Sequence, residues 1–402
     1  MLHCMNVTFD GIAVAGFQEA IDGVYLDDSR DHFSKWSLNT VEKLRGPLTR
    51  PVSAEMFAVH GQRGHRYSLI YNLFRSYYME VSKGQDRLYA LMHLAKDYEE
   101  GHIIVNYSKT VEQAMADAAT YHISQHQNLD FLLMSFRHNE TSNPTWIPEG
   151  WMGHNPEGMA LLWDAGQESE HFEHTECSLE SVDTRNLRLC IRGMKVGSVR
   201  QCIVSDVNTP VAEMTLAEFW KSSLGEYILP YLGDTDTGLP RDFSRAIRGG
   251  NLGRGHDHES IQAGLSYLWE LGRNPEQASR VLNYGADDIL DLLAPLKNSN
   301  EPAWAAIRVV LRTLHRRSFI ITDSQHIGLI PECNVREEDD IWRVLGSSHS
   351  VIVRRQPSGR YWHICTAYIP ALVEHEHMVH FSSKIRPGDQ IGEWTVEDIE
   401  LE

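Results

Sequence analysis

The densest run of chemically capable side chains is Gly285-Ala286-Asp287-Asp288-Ile289-Leu290-Asp291. On a helix, Asp287 and Asp291 are four residues apart and Asp288 and Asp291 three apart, so the carboxylates project from one face. Carboxylates this close repel each other unless a cation lies between them. Mg²⁺ suits the task, because its octahedral shell takes carboxylate oxygens together with substrate phosphate oxygens. Leu293 and Lys297 follow, and further on stand Arg308, Arg312, Arg316 and Arg317. Such cations would hold a diphosphate and stabilise it as a leaving group. The expected site therefore has Asp287, Asp288 and Asp291 on metal and Asp288 with Lys297 as catalytic groups. Leu293, Lys297, Arg308 and Arg312 would meet the substrate. A plainer reading exists: Asp after Gly-Ala at a helix start is what capping and the macrodipole favour.

Other clusters are less pointed. His256-Asp257-His258-Glu259 follows a glycine-rich stretch and could bind a metal, or simply form a polar loop before a helix capped at Ser260. His171, His174 and Cys177 have ligand spacing without an evident fourth ligand. His375, His377 and His380 alternate with Glu374 and Glu376 and read as an exposed segment. No GxSxG elbow, HExxH pair or Walker loop occurs. Trp146, Trp151, Trp163, Trp269 and Trp304 would suit an aromatic cavity that stabilises carbocations, or ordinary core.

Helical spacing places Leu69, Leu73, Tyr77, Leu88, Leu91 and Leu94 on two helices broken at Gly84. A capped amphipathic helix is expected from Ser108, with Val111, Met115, Ala118, Ala119 and His122 on one face. Residues 143–155 hold two prolines and cannot be regular helix. Residues 185–206 alternate and are partly β-branched, which suggests a hairpin or a short sheet. Helical spacing returns at 215–229, 260–272, 287–297 and 302–316, with Pro295 expected to kink or end the third of these. The C-terminal residues read as short strands joined at Gly328, Gly346 and Gly359. The expected fold is an α-rich α+β architecture, a large helical body with a small C-terminal antiparallel β unit. Its divisions are an irregular segment over 1–60, a helical body over 61–317 and a β-rich cap over 318–402.

The chain has 402 residues, 37 Lys+Arg against 55 Asp+Glu, and a net charge of −18. That balance disfavours nucleic acid and anionic membrane surfaces as partners, since both are gripped by Lys and Arg. No apolar run is long enough to span a bilayer and no leader pattern opens the chain. Six scattered cysteines without a CxxC pair read as reduced thiols. A cytoplasmic protein is expected, compatible with a homo-oligomer.

Five blocks in order resemble the region that follows the HET domain in fungal heterokaryon-incompatibility proteins. They are residues 85–94 (QDRLYALMHL), 106–113 (NYSKTVEQ), 144–151 (PTWIPEGW), 316–331 and 339–354. The resemblance implies a fungal source and a scaffold from about Tyr67 to Val373. Residues 1–60 show nothing like the HET domain, which carries the family's death-inducing activity. Cys365-Thr366-Ala367-Tyr368 stands where the family usually has Gly-Glu-Ala-Tyr. The Asp287-Asp288-x-x-Asp291 spacing separately resembles the aspartate-rich motif of class I terpene synthases, though the second motif of that class is missing. With Leu293 and Lys297 it looks like what an atypical, humulene-type fungal synthase would need. Two functions are therefore expected. One is a Mg²⁺-dependent cyclase that converts a prenyl diphosphate, farnesyl diphosphate foremost, to a cyclic sesquiterpene. The other is a non-enzymatic protein of heterokaryon incompatibility.

Overall fold

The computed structural model describes residues 2–4, 7–9, 68–75, 81–135, 144–148, 181–203, 214–233, 239–249, 258–282, 287–314, 317–331, 333–347, 349–373 and 385–402. Contacts divide the chain into two units, residues 1–125 with 150–155, and residues 126–149 with 156–402.

Among the described residues, the first unit holds the antiparallel pair β1 (Leu2–Cys4) and β2 (Val7–Phe9) and three helices. These are α1 (Leu69–Arg75), α2 (Asp86–Leu91, continued by a 3-10 turn over Met92–Leu94) and α3 (Val111–His126). Leu69, Leu73, Leu88, Met115, Ala118 and Ala119 are buried, as the helical spacing requires. The start of α3 is set two residues later than expected. Thr110 and Gln113 exchange bonds, the Gln113 N–H donating to Thr110 Oγ1 at 3.2 Å and the Thr110 N–H to Gln113 Oε1 at 3.1 Å. That is a capping box. Ser108 instead donates to Asn106 Oδ1, closing the turn before it. Gly84 does separate the helices, and a Cβ there would stand 2.5 Å from Val111 Cγ2.

The second unit is built on a nine-stranded sheet. Its strands are β3 (Ser181–Asp183), β4 (Arg188–Ile203), β5 (Arg317–Thr322), β6 (Ile327–Pro331), β7 (Asp340–Val344), β8 (Ser350–Arg355), β9 (Tyr361–Ala367), β10 (Gln390–Ile391) and β11 (Trp394–Leu401). Five of them close on themselves. β4 pairs with β7, β7 with β8, β8 with β9, β9 with β11, and β11 returns to β4. Every step is antiparallel except β9 to β11, which meet in parallel at Tyr361 and Leu401. Thr145 bridges beside that junction. Its N–H donates to Glu402 O at 3.1 Å, and its hydroxyl accepts from the His363 N–H at 2.8 Å. The far half of β4 leaves the ring and carries the β5–β6 hairpin as an open extension.

This sheet corrects the expected fold class. The helical body over 61–317 with a small C-terminal β unit is overturned, because β4 comes from the middle of the chain and joins both the ring and its extension. The local cause is clear. The alternating residues 185–206 suggest a hairpin or a short sheet, yet they form one 16-residue strand that contains Gly193 and Gly197. A Cβ at Gly193 would lie 2.7 Å from Arg343 O, so glycine lets β7 approach. A register shift falls between Lys195 and Gly197, a bulge that bends the strand toward closure.

Helices pack on the open extension. They are α4 (Leu216–Lys221), α5 (Ser223–Gly233), α6 (Arg241–Gly249), α7 (His258–Arg273), α8 (Pro275–Ala278), α9 (Asp287–Ser299), α10 (Glu301–Leu314) and the short α11 (Pro370–Val373). Their core runs through Phe219, Phe243, Leu265, Leu293 and Ile307 to Phe319 and Leu329 of the hairpin. Phe243 and Phe319 have ring centroids 4.9 Å apart. Pro295 does not end α9, which continues to Ser299. A proline in a helix removes one backbone donor, a loss of the order of 3 kcal/mol that packing of Leu293 and Leu296 must offset. Among the described residues, no helix is long and apolar enough to cross a membrane.

Candidate functional site

Among the described residues one group of side chains has the composition of a metal centre: Asp97, His122 and His126. Each offers a ligand atom, and these atoms lie within 4.8 Å of one another. Both histidines stand on α3, four residues apart, so helical geometry sets one above the other. The division between the two units falls at His126, the last residue of this helix. His122 is 5% exposed, while Asp97 and His126 are half-buried, so the group is shielded on one side and reachable from the other.

Asp97 is held from two directions. Its Oδ1 accepts from the Leu69 N–H at 2.8 Å, at the start of α1. Its backbone carbonyl accepts the Tyr121 hydroxyl proton, and that hydroxyl oxygen in turn accepts from the Glu99 N–H at 2.8 Å. Burial foremost raises the pKa of Tyr121, so the hydroxyl keeps its proton and the clasp persists at ordinary pH. Tyr98 packs edge-on against Tyr121 and His93, with centroids 5.7 and 5.3 Å away. The 97–99 turn is thereby pinned against α3. A hydrogen-bonded carboxylate oriented before any ligand arrives is what outer partners supply in metal sites.

The aspartate segment is arranged differently. Asp287 and Asp288 are the first two residues of α9, and their side chains lie outside the described residues. Asp291 is exposed. Leu293 is fully buried in the helical core, so it packs against α10 and is covered by protein. Lys297 Nζ lies 4.7 Å from the centroid of the Trp304 ring, and Arg308 Cζ lies 4.5 Å from the same centroid. Both cations are thus over one indole, a favourable arrangement that also spends them. Arg312 belongs to α10, its side chain outside the described residues, and Arg317 is buried in β5. The structure brings Lys297 and Arg308 together on Trp304. It does not bring Leu293 to a surface shared with them. Where α7 crosses α10, a Cβ on Gly264 would lie 2.9 Å from Ala303 O, so this part of the bundle is filled by direct backbone approach.

The remaining expected clusters fall largely outside the described residues. His171, His174, Cys177, His256, Asp257, His375, His377 and His380 lie outside the described residues, as do Trp151 and Trp163. His258 opens α7 with Nδ1 2.8 Å from Ser244 Oγ. Trp146 donates to Leu187 O at 2.9 Å and packs on Phe131, whereas Trp269 packs on Trp220. The cysteines Cys202, Cys333 and Cys365 are free thiols. Burial, then Cys333 and Asp339, pushes Cys202 up to about 12, and burial likewise raises Cys365. Thiols held protonated are poor nucleophiles and poor metal ligands.

Sequence reasoning placed His122 on an apolar face and passed over Asp97 and His126. The available signal was His122-x-x-x-His126, two imidazoles at i and i+4 on a helix whose start is well marked. Compared with protein-family models, with curated proteins and with solved structures, the chain has no match.

Proposed function

We propose that the chain is a non-enzymatic interaction protein of the heterokaryon-incompatibility type, the second of the two readings raised by the sequence. The observation that carries this reading is how the residues of the resemblance are used. Those of the first two blocks bind each other. Gln85 Nε2 donates to Lys109 O at 2.8 Å, and Tyr107 donates to Asp86 Oδ1 at 2.6 Å. The Tyr89 hydroxyl donates to Asn106 O and accepts from the Asn106 N–H, while its ring meets Tyr107 edge-on at 5.4 Å. In the last block, Asp339 accepts from Arg354 Nε at 2.7 Å and Nη2 at 2.8 Å, a buried two-pronged pair. Residues that define the resemblance are therefore spent on holding a scaffold. The neighbouring loop leaves Ile104 73% exposed and Val105 and Tyr107 about half exposed, surface that a partner could cover.

The cyclase reading rests on carboxylate spacing. It needs Asp287, Asp288, Asp291, Lys297 and Arg308 to converge on a cavity large enough for a prenyl chain. Asp291 faces solvent and both cations sit over Trp304, which favours the interaction reading.

The test pairs fungal strains that express or lack the chain and scores heterokaryon formation and cell death after fusion. A change of compatibility with at least one tester strain is expected, weakened by Ile104→Asp. In parallel, purified protein with Mg²⁺ and farnesyl diphosphate should release no hydrocarbon. Release of a cyclic hydrocarbon that Asp288→Asn abolishes would overturn the reading in favour of the cyclase.

A further inference from the structure

We propose that Asp97, His122 and His126 form a binding site for a borderline divalent transition-metal ion, Zn²⁺ foremost, at the last turns of α3. The inference goes beyond the interaction reading and does not depend on it. Two imidazole nitrogens and one carboxylate oxygen are a donor set suited to Zn²⁺, Fe²⁺ or Ni²⁺, whereas Mg²⁺ prefers oxygen alone. The spacing supports the assignment. Bonds of about 2.0–2.1 Å in tetrahedral coordination set ligand atoms roughly 3.3 Å apart. The three donors already lie within 4.8 Å of one another, close to that spacing before any ion is bound.

The surroundings fit as well. His122 approaches from the buried side and His126 from the last turn of the same helix. Asp97 has its Oδ1 oriented by the Leu69 N–H at 2.8 Å, which fixes the carboxylate beside the two imidazoles. With three protein ligands, a fourth position opens toward solvent on the side of Asp97 and His126, where water would complete the shell. No carboxylate stands next to His122 in the sequence as it does in the HExxH helices of zinc proteases; that position is the buried Ile123. The site is accordingly assigned as metal-binding, with the ion clamping the end of α3 to the 97–99 turn and the start of α1.

The experiment uses the full chain, stripped of metal with chelator and then given Zn²⁺ alone or Co²⁺ alone. One equivalent of Co²⁺ should develop visible d–d absorption, and Zn²⁺ should displace it. Zn²⁺ at about a hundredfold excess over its Kd should raise the melting temperature by several degrees. His126→Gln and Asp97→Asn should each weaken binding at least about tenfold while the far-ultraviolet circular dichroism is unchanged. In the unaltered chain, Zn²⁺ should shield His122 and His126 from acylation by diethyl pyrocarbonate, read by mass spectrometry; this arm holds even if a variant fails to fold. Absence of any response to Zn²⁺ and Co²⁺ would overturn the proposal. So would full affinity in both variants, or acylation of His122 and His126 unaffected by metal, either of which would move binding to other histidines among the 21 in the chain.

Discussion

His349 is an imidazole held neutral by its position. Burial foremost, and then the nearby Arg343 guanidinium, push its pKa down to about 3. Tyr368 lies beside it, ring centroid 5.8 Å away. Arg343 is itself lowered to about 10 by burial, so two neighbouring groups resist charge for the same reason. The unfolded chain takes a proton on this histidine below its ordinary value near 6.5, whereas the folded chain declines it until about pH 3. Proton uptake by the unfolded state alone means that stability falls as pH drops through that window, by about 1 kcal/mol per pH unit. Urea unfolding at pH 7, 6, 5 and 4 should show this slope, and His349→Gln should flatten it. An equal slope in that variant would place the acid sensitivity on other groups.

Among the elements, the contact of α7 with α10 shows how packing overrides propensity. Alanine is favoured over glycine inside a helix by about 1 kcal/mol. Gly264 nevertheless sits where a Cβ would stand 2.9 Å from both Ala303 O and Ile307 Cβ. One of those contacts is backbone and cannot rotate away. Gly264→Ala is expected to cost about 1 to 2 kcal/mol net, reversing the sign that propensity alone gives. Denaturant midpoints of the two proteins measure it, and a raised midpoint would contradict the crossing geometry. Helices of this kind were readable from the chain because a cap and a 3.6-residue period are written within a few neighbours. Thr215 with Glu218 shows it, each bonding the other's backbone N–H at the start of α4. The cap of α3 was misplaced because Ser108 and Thr110 both qualify in sequence, and only the turn at Asn106 decides between them.

At the scale of the molecule, the ring of five strands depends on its last member. β11 pairs with β4 from Leu189 to Met194 and touches β9 at Tyr361. Arg192 ties the two strands further, donating from Nε and Nη2 to Asp398 at 2.7 and 3.1 Å. Removing residues 394–402 would expose the edges of β4 and β9 together, a template for aggregation. The truncated protein is expected to bind a hydrophobic dye and to lose the sharp unfolding transition. A transition as sharp and as high as that of the intact chain would show that closure contributes little. Local periodicity was enough for the helices over 260–272, 287–297 and 302–316 and for the C-terminal strands, since each is a property of neighbouring residues. The nine-stranded sheet and the convergence of Asp97 with His122 and His126 were not so readable. Leu189 meets Leu401, and a turn carboxylate meets a helix face, only after long loops close. Which partner wins such a closure is settled by the sum of burial over the whole fold, a quantity no short stretch of sequence contains.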